Sequence, residues 1–201
     1  MEKKSNREKI LKLVEGAVMV ALAFGLSCVK LFELPYGGTI TFLSMLPIVV
    51  YSIRNGVASG LMCSFVYALT QLAQGIFVSG LLGWGLTPGL LVGCILLDYI
   101  IPFTVLGLAG IFRTKGVKGW ITGTVGVILI RLMSHVLSGV FIFKSAGLLW
   151  EGLEISNSWL YSMAYNGFYM IPEMILTTIG AVILFNKNIM SRLLKNLEVK
   201  T

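Results

Sequence analysis

Between residues 10 and 185 the chain is a succession of long apolar runs separated by short polar or glycine-containing breaks. No single water-soluble core accommodates so much uninterrupted apolar sequence. A helix rising 1.5 Å per residue needs about 20 apolar residues to cross a hydrocarbon core of about 30 Å. Runs of that order fall at 10–32, 57–78, 89–112, 120–143 and 159–185, with a shorter one at 39–53. They predict an all-α integral membrane bundle of six transmembrane helices. It forms one membrane domain, 1–201, with polar tails at 1–9 and 187–201. The breaks are Glu33-Leu-Pro-Tyr-Gly-Gly38, Arg54-Asn-Gly56, a glycine-rich loop at 79–88 and a polar loop at 113–119. Charged residues are 12% of the chain, about half the soluble average of roughly 25%.

Charge then orients the bundle. Thirteen of the 16 Lys and Arg residues fall in the two tails, at Lys12 just after the first of them, in the Arg54 turn and in the 113–119 loop. Lys30 and Lys144 fall on the other side, and Arg131 lies within the fifth run. Basic residues collect on the cytoplasmic face, so both termini are expected inside the cell. The net charge of +7 therefore needs no nucleic-acid partner. Cys28, Cys63 and Cys94 all lie in apolar runs without Cys-x-x-Cys spacing and read as small hydrophobes, not metal ligands. The first run is too long for a secretory signal and has no small-residue cleavage site, so it is expected to stay as a span.

The chemistry is concentrated late in the chain. Arg131, His135, Tyr161, Asn166 and Glu173, with Asp98 from an earlier run, stand inside segments otherwise apolar. A charge at mid-membrane costs about 2.5–3.5 kcal/mol on insertion scales, so it faces a cavity or a partner. Counted from the outer ends, Asp98 lies roughly 15 Å deep, His135 roughly 12 Å and Asn166 roughly 10 Å. With Tyr161, which enters its helix from the same side, four polar groups from three consecutive helices thus share the outer half of the bilayer, which predicts an outward-opening pocket. Arg131 and His135 are four apart and share a face. Arg131 stands near the level of Glu173, and an ion pair with Glu173 or Asp98 is as good a reading as ligand contact. A carboxylate among Tyr99, Trp84, Phe143 and Trp159 suits a flat cation, which aromatic faces attract by about 0.5–2 kcal/mol. Asn166 offers a donor and an acceptor to a heteroaromatic edge.

The chain resembles the S component of an energy-coupling factor vitamin transporter, of the thiamine-binding type. The likeness rests on Glu15-Gly-Ala-Val-Met-Val-Ala-Leu-Ala23, Leu46-Pro-Ile-Val-Val-Tyr-Ser-Ile-Arg-Asn-Gly56, Asp98-Tyr-Ile-Ile-Pro102 through Gly107-Leu-Ala-Gly-Ile-Phe-Arg113, His135-Val-Leu-Ser-Gly139 and Tyr161-Ser-Met-Ala-Tyr-Asn166-Gly167. The resemblance implies capture of thiamine at the outer face without chemistry on it and without a cofactor. Asp98 would stand where the family has an acidic residue, usually Glu, meeting the cation and the aminopyrimidine. Tyr99 would stack, His135 would bond or stack, and Tyr161 and Asn166 would hold the pyrimidine end. Where the family's first loop commonly offers a tryptophan, this chain has Gly37-Gly38, and an aromatic near the end of span five is Phe143. Stacking is then either weaker or rebuilt from Trp84. The resemblance also implies partners, a transmembrane coupling subunit and two ATPase subunits. The small residues Ala17 and Ala21, four apart, would dock on the former. No Gly-x-x-x-x-Gly-Lys-Ser/Thr occurs here, so ATP hydrolysis would come from another chain.

Three other readings compete. One is the same fold serving another vitamin or a pyrimidine precursor. A second is an intramembrane enzyme built on Asp98, Glu173 and the single histidine. The absence of His-Glu-x-x-His and Gly-x-Ser-x-Gly weighs against it. A third is a transporter acting alone, for which no inverted repeat is visible.

Overall fold

The computed structural model describes residues 2–34, 38–150 and 152–186. Helix α1, Glu2–Ser27, opens the bundle. The first run was expected to stay helical to residue 32, but its last residues leave the helix. Lys30–Glu33 (β1) pairs antiparallel with Thr39–Thr41 (β2). The second expected span shrinks accordingly. Only Leu46–Asn55 (α2) is helical, begun by Pro47 in its first turn and ended at Gly56, whose φ of 87° lies in the left-handed region. Ten residues reach about 15 Å, half the hydrocarbon core. Helix α3, Val57–Phe77, agrees with its expected span.

The next stretch departs most from expectation. Helix α4, Pro88–Cys94, runs into a π-helical stretch, Ile95–Ile100, then α5, Ile101–Thr104, a 3-10 stretch, Val105–Lys115, and α6, Gly116–Phe141. These 54 residues form one apolar helical run, far longer than one crossing needs. It therefore doubles back. Phe112 has non-helical angles (φ −106°, ψ 18°) and Gly116 a φ of 62°. The two legs then lie side by side, with Ser134 Oγ donating to the Leu97 carbonyl at 2.6 Å. The 113–119 loop is thus a pair of helix ends meeting at a kink. A second hairpin, Gly147–Trp150 (β3) with Leu153–Ile155 (β4), precedes α7, Ser158–Phe185. Asn157 caps α7, its side chain accepting from the Trp159 and Leu160 amides at 2.9 and 3.1 Å, which satisfies donors that no helical carbonyl reaches.

Among the described residues, four helical runs are long and apolar enough to cross a membrane: Asn6–Ser27, Val57–Phe77, Pro88–Phe141 and Ser158–Phe185. The bundle is helical, with two short β-hairpins that hydropathy did not anticipate. The tail at 187–201 and Gly37 lie outside the described residues.

Small residues set the helix spacing, as they do where lipid gives helices no hydrophobic drive to associate. A Cβ on Gly107 would overlap the Gly60 backbone at 2.5 Å. Ser52 Oγ donates to the Gly107 carbonyl at 2.5 Å and accepts from the Gly110 amide at 3.0 Å. That knot ties α2 and α3 to the 3-10 stretch. Around it Met45, Ile48, Tyr67, Leu106, Ile128 and Met170 are fully buried, while Leu11, Val14, Val18 and Leu22 of α1 face outward.

Candidate binding site

A cavity of about 1120 Å³ opens between α3, the π-helical stretch, α6 and α7, with residues of both hairpins at its rim. Its chemistry centres on Asp98. The π-helical stretch has a visible cause in sequence. Pro102 has no N–H to offer the Asp98 carbonyl four residues back, and the Ile101 amide instead bonds Leu96, five residues back. Such local widening of a helix is frequent at functional sites.

The Asp98 carboxylate accepts three side-chain hydrogen bonds. His135 Nδ1 stands 2.9 Å from Oδ1. Ser138 Oγ donates to Oδ2, and Cys94 Sγ lies 3.3 Å from the same oxygen. A carboxylate only accepts, so Nδ1 carries the proton. Nε2 is buried without a partner in the protein, and His135 lines the cavity. It is therefore placed to meet a ligand.

Tyr99 follows Asp98 on the cavity wall. Its ring passes over Gly75 of α3, where any Cβ would overlap it at about 2.5 Å. Trp84 and Phe143 meet edge-on at 6.1 Å near the rim, Trp84 held by its indole N–H donating to the Ser79 carbonyl at 3.0 Å. On α7, Tyr161 stacks on Tyr165 at 6.3 Å, and Tyr165 meets Tyr169 edge-on at 6.0 Å. Asn166 is buried with both ends of its amide engaged: Nδ2 donates to the Ser162 carbonyl at 2.9 Å, and Oδ1 accepts from Tyr169 at 2.7 Å. What it can still give a ligand is a second lone pair on Oδ1. All seven expected binding residues, Trp84, Asp98, Tyr99, His135, Phe143, Tyr161 and Asn166, line this one cavity.

Two expectations need correction. Trp159 is not on the cavity wall; it packs edge-on against Phe141 at 5.8 Å and is 45% exposed. Helical rotation of about 100° per residue puts it nearly opposite Tyr161. Nor does Arg131 pair with either carboxylate. Glu173 Oε1 accepts from the Thr41 amide at 2.8 Å and the Thr41 hydroxyl at 2.5 Å. The Arg131 guanidinium instead lies 4.2 Å over the face of Phe103, with Nε and Nη1 lacking hydrogen-bond partners. Both residues line the cavity.

Sequence reasoning missed Ser138, Tyr165 and Tyr169, and it missed the hairpin. Ser138 was within reach, since it stands three residues after His135 on the same face. Gly38 was not, because it comes into place only through pairing of β1 with β2 and its amide then donates to Tyr165 Oη at 2.9 Å. Among the described residues no group of three His, Cys, Asp or Glu is placed to hold a metal.

Comparison with known proteins places this geometry. The chain is 30% identical to the Thiamine transporter ThiT of Bacillus subtilis (strain 168) over 196 residues, 90% of this chain and 93% of that one. It shares its fold with a solved structure of ThiT from Listeria monocytogenes, at a TM-score of 0.66 and 22% identity, over 89% of this chain and 94% of the other. With its several membrane-long apolar helices it is a multi-pass membrane protein. Relatives named as transporters displace the reading as an intramembrane enzyme. The model of the family described as Thiamine transporter protein (Thia_YuaJ) matches residues 13–192, and the chain belongs to that family.

Proposed function

We propose that this chain is the substrate-binding S component of an energy-coupling factor transporter and captures thiamine from the extracellular side. The observation that carries the reading is an aromatic-walled cavity with a carboxylate held in its side, in a chain of a thiamine transporter family. Thiamine joins a cationic thiazolium to an aminopyrimidine. The cation goes to Asp98, between Tyr99 and the Trp84–Phe143 pair, where ring faces and charge act together. The aminopyrimidine goes toward Tyr161, Asn166 and the free Nε2 of His135, which accepts from its amino group.

The remaining parts of the reading follow the same family logic. Six helices cross the membrane, α2 as a short one, with both termini in the cytoplasm, which the distribution of basic residues supports. The chain docks on a transmembrane coupling subunit that carries two ATPase subunits. Ala17 and Ala21 are exposed on α1, and a Cβ at Gly25, one turn further on, would meet nothing within 4 Å. The stripe therefore takes no part in packing the bundle and is open to another helix.

Mass spectrometry of the small molecules that copurify with the protein tests the assignment. Thiamine is expected, displaced by added thiamine and not by other vitamins. A different vitamin or a free pyrimidine in its place would overturn the choice of ligand.

A further inference from the structure

We infer that Ser138 is a positioning residue: together with His135 it turns Asp98 into a counter-charge suited to a quaternary cation. The inference rests on the thiamine reading above and adds how the site selects among cations. A carboxylate has about four lone-pair positions. Three of them are filled from within the protein, by His135 at Oδ1 and by Ser138 and Cys94 at Oδ2. Ser138 is 1% exposed and Cys94 fully buried, so water does not compete for these bonds. His135 and Ser138 lie one turn apart on α6 and reach the carboxylate from the same helix face.

The result is a full negative charge with one direction left for a hydrogen bond. A thiazolium nitrogen carries no N–H, so it needs charge nearby and no directed acceptor. A guanidinium, an amidinium or a primary ammonium requires several acceptors and finds them taken. The site therefore prefers quaternary aromatic cations over equally charged hydrogen-bonding ones.

The test compares binding of thiamine with that of a neutral isostere in which carbon replaces the thiazolium nitrogen. Wild-type protein and the Ser138→Ala and Ser138→Thr variants are titrated. Loss of one hydrogen bond to a charged group corresponds to roughly a tenfold or greater loss in affinity. Ser138→Ala is expected to bind thiamine about tenfold more weakly and the neutral isostere about as wild type does. Ser138→Thr, which keeps the hydroxyl, restores the preference. If Ser138→Ala does not fold, Ser138→Cys keeps the volume, weakens the donor and is expected to give the same narrowing of the ratio. Wild-type affinity for thiamine in Ser138→Ala, or equal losses for both ligands, would overturn the positioning role while leaving the thiamine reading intact. Wild-type protein that binds neither ligand would defeat the thiamine reading itself.

Discussion

A buried polar residue in a membrane bundle either satisfies its neighbours or waits for a ligand, and both kinds occur in this cavity. Asp98 is already bonded by three side chains, whereas His135 Nε2 and Arg131 Nε and Nη1 are not. Asp98→Asn keeps the shape, removes the charge and replaces one acceptor with a donor facing Ser138 or His135. Ligand-induced fluorescence quenching is expected to show thiamine affinity about 10- to 100-fold lower, the equivalent of about 1.5–3 kcal/mol for a charged hydrogen-bonding group. At this scale the sequence was informative. Depth counted along helices brought Asp98, His135, Tyr161 and Asn166 to one site, because 1.5 Å per residue is a rigid ruler. Partner choice was not legible. Arg131 and Glu173 match in depth, yet Thr41 of β2 reaches Glu173 first, and Arg131 settles on Phe103.

Helices approach closely at the cavity because glycine permits it, and that makes elements sensitive at single atoms. Gly75→Ala puts a methyl group into the Tyr99 ring; overpacking of this kind costs about 1–3 kcal/mol. The variant is expected to melt several degrees lower and to bind thiamine more weakly, since Tyr99 leaves the wall. The hairpin root offers a second test. Glu173→Gln retains an acceptor for the Thr41 donors and is expected to stay near wild-type stability. Glu173→Ala leaves the Thr41 amide unpaired at about 1–3 kcal/mol, while the Thr41 hydroxyl keeps Ser44 Oγ at 2.6 Å; the loss is seen as a drop in thermal stability. Hydropathy located α3 and α7 well, since each is one apolar run bounded by polar or glycine residues. It placed the break between the two legs at 113–119, but it could not see β1 and β2 or that helical structure carries on through the break. Val29, Leu31 and Phe32 are as apolar as a helix end, so hydropathy has nothing there to mark a strand.

At the scale of the whole molecule, the proposed function separates capture from energy supply and assigns them to different surfaces. The cavity lies among α3, α6 and α7, and neither Ala17 nor Ala21, exposed on α1, is among its lining residues. Ala17→Trp is therefore expected to leave thiamine binding by the isolated chain unchanged. In cells expressing the full transporter it is expected to abolish uptake, because a bulky side chain prevents close helix approach. Uptake at the wild-type level would place the docking surface elsewhere. The bundle as a class was legible from six apolar runs and the bias of basic residues. Their arrangement in space, which makes a cavity of scattered polar positions, was not.

Capture of thiamine is tested most directly by isothermal titration of the purified, detergent-solubilised chain, unaccompanied by any other subunit. One site per chain, with a dissociation constant below about 1 μM, corresponding to more than about 8 kcal/mol, is the expected result. A folded, monodisperse protein that gives no saturable heat with millimolar thiamine would contradict it.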